Sequence, residues 1–205
     1  MGFFDRIFGF GKAKLNKTDC ISRNENCDRL LEYNREIKEL LNRKQYLAKS
    51  DYKKLTEDYA KTLDFFDVLS DSGTLGNFCE MNRITEAEVS QMLAKGKEID
   101  AIIDQHNEDF VHSAMKEEKE YLDHILTAVD PAIVLDEDQR RVVLTDEDYS
   151  LVIAGAGAGK TTTVAAKVKY LVDKQKVDPK DILVVSFTNK AVKEMKEKIQ
   201  DALGI

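Results

Sequence analysis

With 205 residues, 42% hydrophobic and 34% charged, the chain is long enough for one or two soluble domains with buried cores. Its net charge of −7 is uneven: residues 131–205 hold 12 Lys and Arg against 12 Asp and Glu, so all the excess acid precedes Pro131. Any nucleic acid would then be gripped in the neutral carboxy-terminal third. No apolar run approaches the roughly 18 residues that span a bilayer, and three cysteines and three histidines at unrelated spacings give neither a zinc set nor a disulfide framework, so a cytoplasmic protein with reduced thiols and no stable membrane insertion is expected.

Residues 1–19 read as an apolar, flexible terminus. Phe3, Phe4, Ile7, Phe8 and Phe10 pack locally or fray there; contact with a membrane surface is the alternative, although Arg6 stands where an N-myristoylation sequence has Ser or Thr.

Residues 20–130 are expected to form a long α-helical hairpin. Leu30, Tyr33, Ile37, Leu40, Leu41 and Leu47 recur at helical spacing. Tyr52, Leu55, Tyr59, Leu63 and Phe66 continue with a shifted phase, as a stutter or a break near Ser50 and Asp51 produces, so two consecutive helices fit this arm as well as one. Residues 70–77, with Gly73 and Gly76, suit a chain reversal. Thr85 followed by Glu88 fits a capping box that starts a helix at Glu86. The second arm runs through Val89, Met92, Leu93, Ile99, Ile102, Ile103 and Phe110 to Val129, with Gly96 its weak point. Two unbroken arms would be rods of roughly 65 Å. His106, His112 and Tyr121 lie on this arm without a ligand partner at metal spacing and receive no chemistry.

The pattern changes in residues 131–205. Leu151, Val152 and Ile153 form an apolar run ending in a glycine-rich loop, a helix follows, then a second apolar run, residues 182–187, and another helix. Runs apolar on both faces that alternate with helices predict a parallel sheet covered on both sides.

Ala154, Gly155, Ala156, Gly157, Ala158, Gly159, Lys160 and Thr161 fit the phosphate-loop pattern, with Ala154 at the position where the strictest form has glycine. Small residues let main-chain amides curl around an anion, and the helix start that follows favours negative charge. Lys160 supplies an ammonium for the outer phosphates, and the Thr161 hydroxyl suits the shell of a Mg²⁺ ion. These residues and Thr162 are the candidate ATP site, with Lys160 and Thr161 as its catalytic pair. A dinucleotide fingerprint is excluded, because the glycines alternate and a Lys-Thr pair follows them.

Residues 135–143, Leu-Asp-Glu-Asp-Gln-Arg-Arg-Val-Val, and residues 182–195, with Phe-Thr-Asn-Lys-Ala-Val-Lys-Glu-Met, resemble the Q motif and motif Ia of superfamily 1 DNA helicases of the UvrD/Rep type, including helicase IV. The resemblance covers residues 133–203. It implies that Gln139 reads adenine, that Phe187, Thr188 and Asn189 touch single-stranded DNA, and that ATP and Mg²⁺ are used. The expected fold class is therefore α/β: a coiled-coil-like α-helical hairpin, then the opening of a RecA-like P-loop NTPase parallel-sheet domain, incomplete in these residues.

A motor of this kind also needs a Walker B Asp-Glu pair, arginines for the departing phosphate and a second motor domain. None follows the loop, so the chain reads as the amino-terminal part of a longer ATP-dependent DNA helicase, inactive alone. The alternative is a nucleotide-binding helical interaction module without hydrolysis. Asp64, Asp67 and Asp71 near the expected hairpin tip suit an arm for a protein partner; a scaffold with a solvated acidic face needs no such partner. A small-molecule kinase shares the loop but has no use for the Phe-Thr-Asn segment.

Overall fold

The computed structural model describes residues 24–204; the expectations for residues 1–19 and for Cys20 lie outside them. Asn24 caps helix α1 (Glu25–Leu41) by accepting from the Asn26 amide, and Leu30, Tyr33, Ile37 and Leu40 form its buried stripe. Residues 42–48 lead into α2 (Lys49–Asp71). Arg29 on α1 donates to Thr62 and to the Asp58 carbonyl, whereas Tyr59 donates to Glu36, so the two helices run antiparallel.

After a turn at Gly73, whose φ of +68° suits glycine, come α3 (Leu75–Asn82) and α4 (Glu86–Lys97). Helix α4 starts on the expected capping box: Thr85 accepts from the Glu88 amide at 3.2 Å, and Glu88 accepts from the Thr85 amide at 2.9 Å. Helices α5 (Ile99–Glu117) and α6 (Lys119–His124) follow, and α4 gives way to α5 just after Gly96.

The long hairpin is corrected accordingly. Each expected arm is helical but segmented, and the first doubles back on itself between Leu41 and Lys49. The reversal is held from far away: buried Asn107 accepts from the Leu47 amide at 2.8 Å and donates to the Leu47 carbonyl at 2.9 Å. Folding back lets α1, α2 and α4 bury their stripes against one another around Tyr33, Phe66, Phe78 and Val89, which two isolated rods would leave in water.

A second core gathers Leu122, Ile125 and Leu126 with Leu135, α7 (Glu137–Leu144), α8 (Lys160–Asp173) and α9 (Asn189–Leu203). Helix α5 serves both cores, with Ile99 and Ile103 in the first and Ala114 in the second. A 3₁₀ turn (Pro179–Asp181) lies between α8 and α9.

The parallel sheet expected for residues 131–205 is overturned: among the described residues there is no β-strand. Burial alternates along residues 182–187, with Ile182, Val184 and Ser186 half-buried and Leu183, Val185 and Phe187 exposed. Leu151 and Ile153 are likewise exposed. A sheet exists only through inter-strand backbone bonds, and none joins residues 150–154 to residues 182–187. An apolar run states that burial is favourable; it does not supply the pairing edge. No helix among the described residues is long and apolar enough to cross a membrane.

Candidate nucleotide-binding site

The glycine-rich segment forms a turn that ends at the amino end of α8. Gly157 and Gly159 have φ of +80° and +75°, the left-handed region in which a Cβ is strained, and Gly159 is the residue from which α8 starts. No side chain caps this helix start, whereas Thr163 bonds the Gly159 carbonyl through its amide at 2.8 Å and its hydroxyl at 3.1 Å. Lys160, the first helical residue, curls its ammonium back over the loop and donates to the carbonyls of Ala154 at 3.1 Å and Gly155 at 2.6 Å. Thr161 is half-buried beside it, and Thr162 accepts from Lys198 of α9 at 3.1 Å.

Helix α7, which carries Gln139, is tied to this loop at its start and to α8 at its end. At its start Asp136 and Gln139 form a capping box: the Gln139 amide donates to Asp136 at 2.8 Å, and the Gln139 side-chain oxygen accepts from the Asp136 amide at 3.0 Å. The Gln139 side-chain nitrogen donates onward to the Ala158 carbonyl at 3.3 Å. At its end, Lys167 of α8 donates to the carbonyls of Val143 at 2.9 Å and Thr145 at 2.6 Å. Burial lowers the pKa of that lysine, with Asp146 opposing, because an ammonium removed from water loses hydration that carbonyl dipoles only partly replace.

The motif Ia residues stand at the start of α9. Phe187 is fully exposed. Thr188 is the N-cap, its hydroxyl oxygen accepting from the Ala191 amide at 3.2 Å, and Asn189 opens the helix. Farther along α9, Ile199 packs on the second core, and Val192, Met195 and Ile199 line an open groove with Val168, Ile182 and Val184.

Sequence reasoning missed how residues 145–149 are used. Glu147 accepts from the Lys49 amide at 2.9 Å, and Asp148 accepts from the Ser50 amide and hydroxyl, both at 2.7 Å. Two acids just ahead of the phosphate loop therefore cap α2 of the helical part. Nothing local signals this, because the partners are 98 residues apart; only the lack of a capping side chain at Ala48 hinted at an outside acceptor. His106 bonds the Gln45 carbonyl, and Tyr121 donates to Asp173 at 3.0 Å, so both have structural partners. Among the described residues no cluster suited to a metal ion occurs.

Residues 135–205 match the family model of the UvrD/REP helicase N-terminal domain. This stretch is of the UvrD/Rep type. The UvrD/Rep-type stretch is 48% identical over 66 residues to a probable DNA helicase II homolog of Mycoplasma capricolum, covering 32% of this chain and 9% of that protein. It is 41% identical over 70 residues to the ATP-dependent DNA helicase PcrA of Staphylococcus aureus, covering 34% of this chain and 10% of the relative; PcrA of Staphylococcus epidermidis matches to the same extent. The chain thus spans a small part of the length of these relatives. No solved structure matches it.

Proposed function

We propose that the UvrD/Rep-type stretch binds the triphosphate of ATP and serves an ATP-dependent DNA helicase or translocase. The observation that carries this reading is the Lys160 ammonium, seated on the carbonyls of Ala154 and Gly155 at the first turn of α8, behind two left-handed glycines. Neutral carbonyl partners are readily exchanged for anionic phosphate oxygens, because the ammonium then meets an opposite full charge in place of a carbonyl dipole. The uncapped amides at the start of α8 suit the same oxygens.

The residues fit ATP with Mg²⁺. Residues 154–162 would hold the phosphates, and the Thr161 hydroxyl would join the metal shell; a bound Mg²⁺ neutralises charge that develops during phosphoryl transfer. Gln139 would read adenine with the amide hydrogen and the oxygen lone pair that its present bonds leave over. At α9, Phe187 offers a ring face for base stacking, and the Thr188 hydroxyl, which only accepts within the cap, keeps its hydrogen for a phosphate of single-stranded DNA. A cytoplasmic location accords with this work, and the helical part serves as a scaffold docked against the motor segment.

The test is Lys160→Ala in the 205-residue chain. MgATP binding by titration calorimetry is expected to disappear while the helical circular-dichroism signal is unchanged. A variant that binds MgATP within twofold of the parent chain would overturn the assignment.

A further inference from the structure

We infer that Gln139 is a positioning residue for the phosphate loop, acting on the triphosphate tail independently of the base. The inference rests on the phosphate-loop reading and extends it.

Four observations converge. The Gln139 side-chain nitrogen donates to the Ala158 carbonyl, one residue before the left-handed Gly159. A Cβ at Gly159 would lie 2.5 Å from that nitrogen, so any side chain there would push the Gln139 amide aside, and the φ of +75° favours glycine independently. The other side-chain atom, the oxygen, is fixed by the Asp136 amide at 3.0 Å, which presents the donor in one orientation. Helix α7 itself cannot drift from the loop, because Lys167 of α8 grips its last carbonyls.

The physical consequence concerns the peptide between Ala158 and Gly159. Holding its carbonyl toward Gln139 points the Gly159 amide to the opposite side, since a peptide unit is planar and trans. The loop is then held in one of the conformations open to two glycines with wide backbone freedom. Without the bond, a ligand would have to order the loop itself, and affinity would fall even for a ligand with no base.

Inorganic tripolyphosphate with Mg²⁺ separates this role from adenine reading, because it has a phosphate tail and no base. In the 205-residue chain, Gln139→Met keeps the length and helix preference of the side chain and removes its donor. Calorimetry is expected to show an affinity for tripolyphosphate lowered about tenfold, the worth of one hydrogen bond, with a loss for ATP at least as large. Asp136→Ala, which weakens the start of α7 but spares the Ala158 contact, should leave tripolyphosphate within about twofold. Hydrogen exchange needs no ligand, and the Ala158 amide, which bonds the Gly155 carbonyl at 3.4 Å within the loop, should exchange faster in Gln139→Met than in the parent chain.

Unchanged tripolyphosphate affinity and exchange in Gln139→Met, with ATP alone weakened, would overturn the inference and leave the phosphate loop standing. Equal losses in Asp136→Ala would assign the effect to fraying of α7 and also overturn it. If the parent chain binds neither ligand, the phosphate-loop reading falls, and the positioning role with it.

Discussion

Phe66 and Phe187 are the same side chain in opposite circumstances. Phe66 is wholly buried, with the rings of Phe65 and Phe78 at 5.3 and 5.5 Å, whereas Phe187 is fully exposed at the end of an alternating run. The helical part closes around one core in which every major helix finds a partner for its apolar face. The UvrD/Rep-type segment has a core on one side only, between α7, α8, α9 and the end of the helical part; Leu151, Ile153, Leu183 and Val185 remain exposed. Stability is thus concentrated in the first region and exposed chemistry in the second, as expected of a site whose backbone must stay accessible.

The sharpest way to break this contrast is a pair of truncations. Phe66→Ala should cost about 3–5 kcal/mol of unfolding free energy, through lost transfer energy and a cavity in a packed cluster. Leu183→Ala should stay within about 0.5 kcal/mol, as is usual for an exposed side chain. Denaturant titration followed by circular dichroism measures both. Similar costs would show that residue 183 is buried in solution and that the two regions do not differ as described.

The sequence made one region more legible than the other. Thr85 and Glu88 announced the start of α4 because a capping box is local chemistry: donor and acceptor are three residues apart. The phosphate loop was legible for the same reason, since its glycines, Lys160 and Thr161 are contiguous. The fold-back at residues 42–48 was not, because Asn107 holds it from 60 positions away. Periodicity identifies a face to be covered and leaves its partner open, so the phase shift near Ser50 allowed two helices in the first arm without showing that they fold back antiparallel. The same limit misled the reading of residues 150–154 and 182–187. Their apolar pattern suits a doubly covered strand, yet no backbone bond joins the two runs.

Exposure of Phe187 gives a second, smaller prediction that sharpens the comparison. Phe187→Ala should weaken binding of a single-stranded oligonucleotide by about 1–3 kcal/mol, the range for one base stacked on an aromatic side chain. The unfolding midpoint should not move. Fluorescence anisotropy at fixed salt checks the first statement and thermal melting the second. A drop in stability with unchanged affinity would place this ring in packing, on the same footing as Phe66.

A third prediction concerns the seam between the regions. Asp148 accepts two bonds at the start of α2, so Asp148→Ala should destabilise the helical part by about 1 kcal/mol, the usual worth of a lost N-cap. Part of that loss is electrostatic and should shrink at high salt. The change is made in the segment that leads into the phosphate loop and is read in the other region. An effect confined to residues after 131 would mean that the seam does not couple them.

The smallest effect, and the one most specific to the junction, is a dependence on pH. Lys119 and, second, Arg140 hold the Asp123 carboxyl below its ordinary range, with desolvation opposing them. Arg140 contacts it at 2.6 Å and is itself fixed by the Leu135 carbonyl at 2.8 Å. A carboxyl with a depressed pKa in the folded state binds fewer protons there than in the unfolded chain. Its contribution is therefore complete above the ordinary aspartate value of about 4 and is lost as the pH falls from that value through the depressed one. An NMR titration should place the Asp123 midpoint below that of an unstructured aspartate, and Arg140→Ala should move it upward. The junction between α6 and α7 should then loosen as the pH falls through that range, while Asp100, held low by Lys49 and then by Tyr52, adds a parallel acid loss between α2 and α5 in the first region. An Asp123 midpoint unmoved by loss of Arg140 would show that this ion pair does not tie the two regions together.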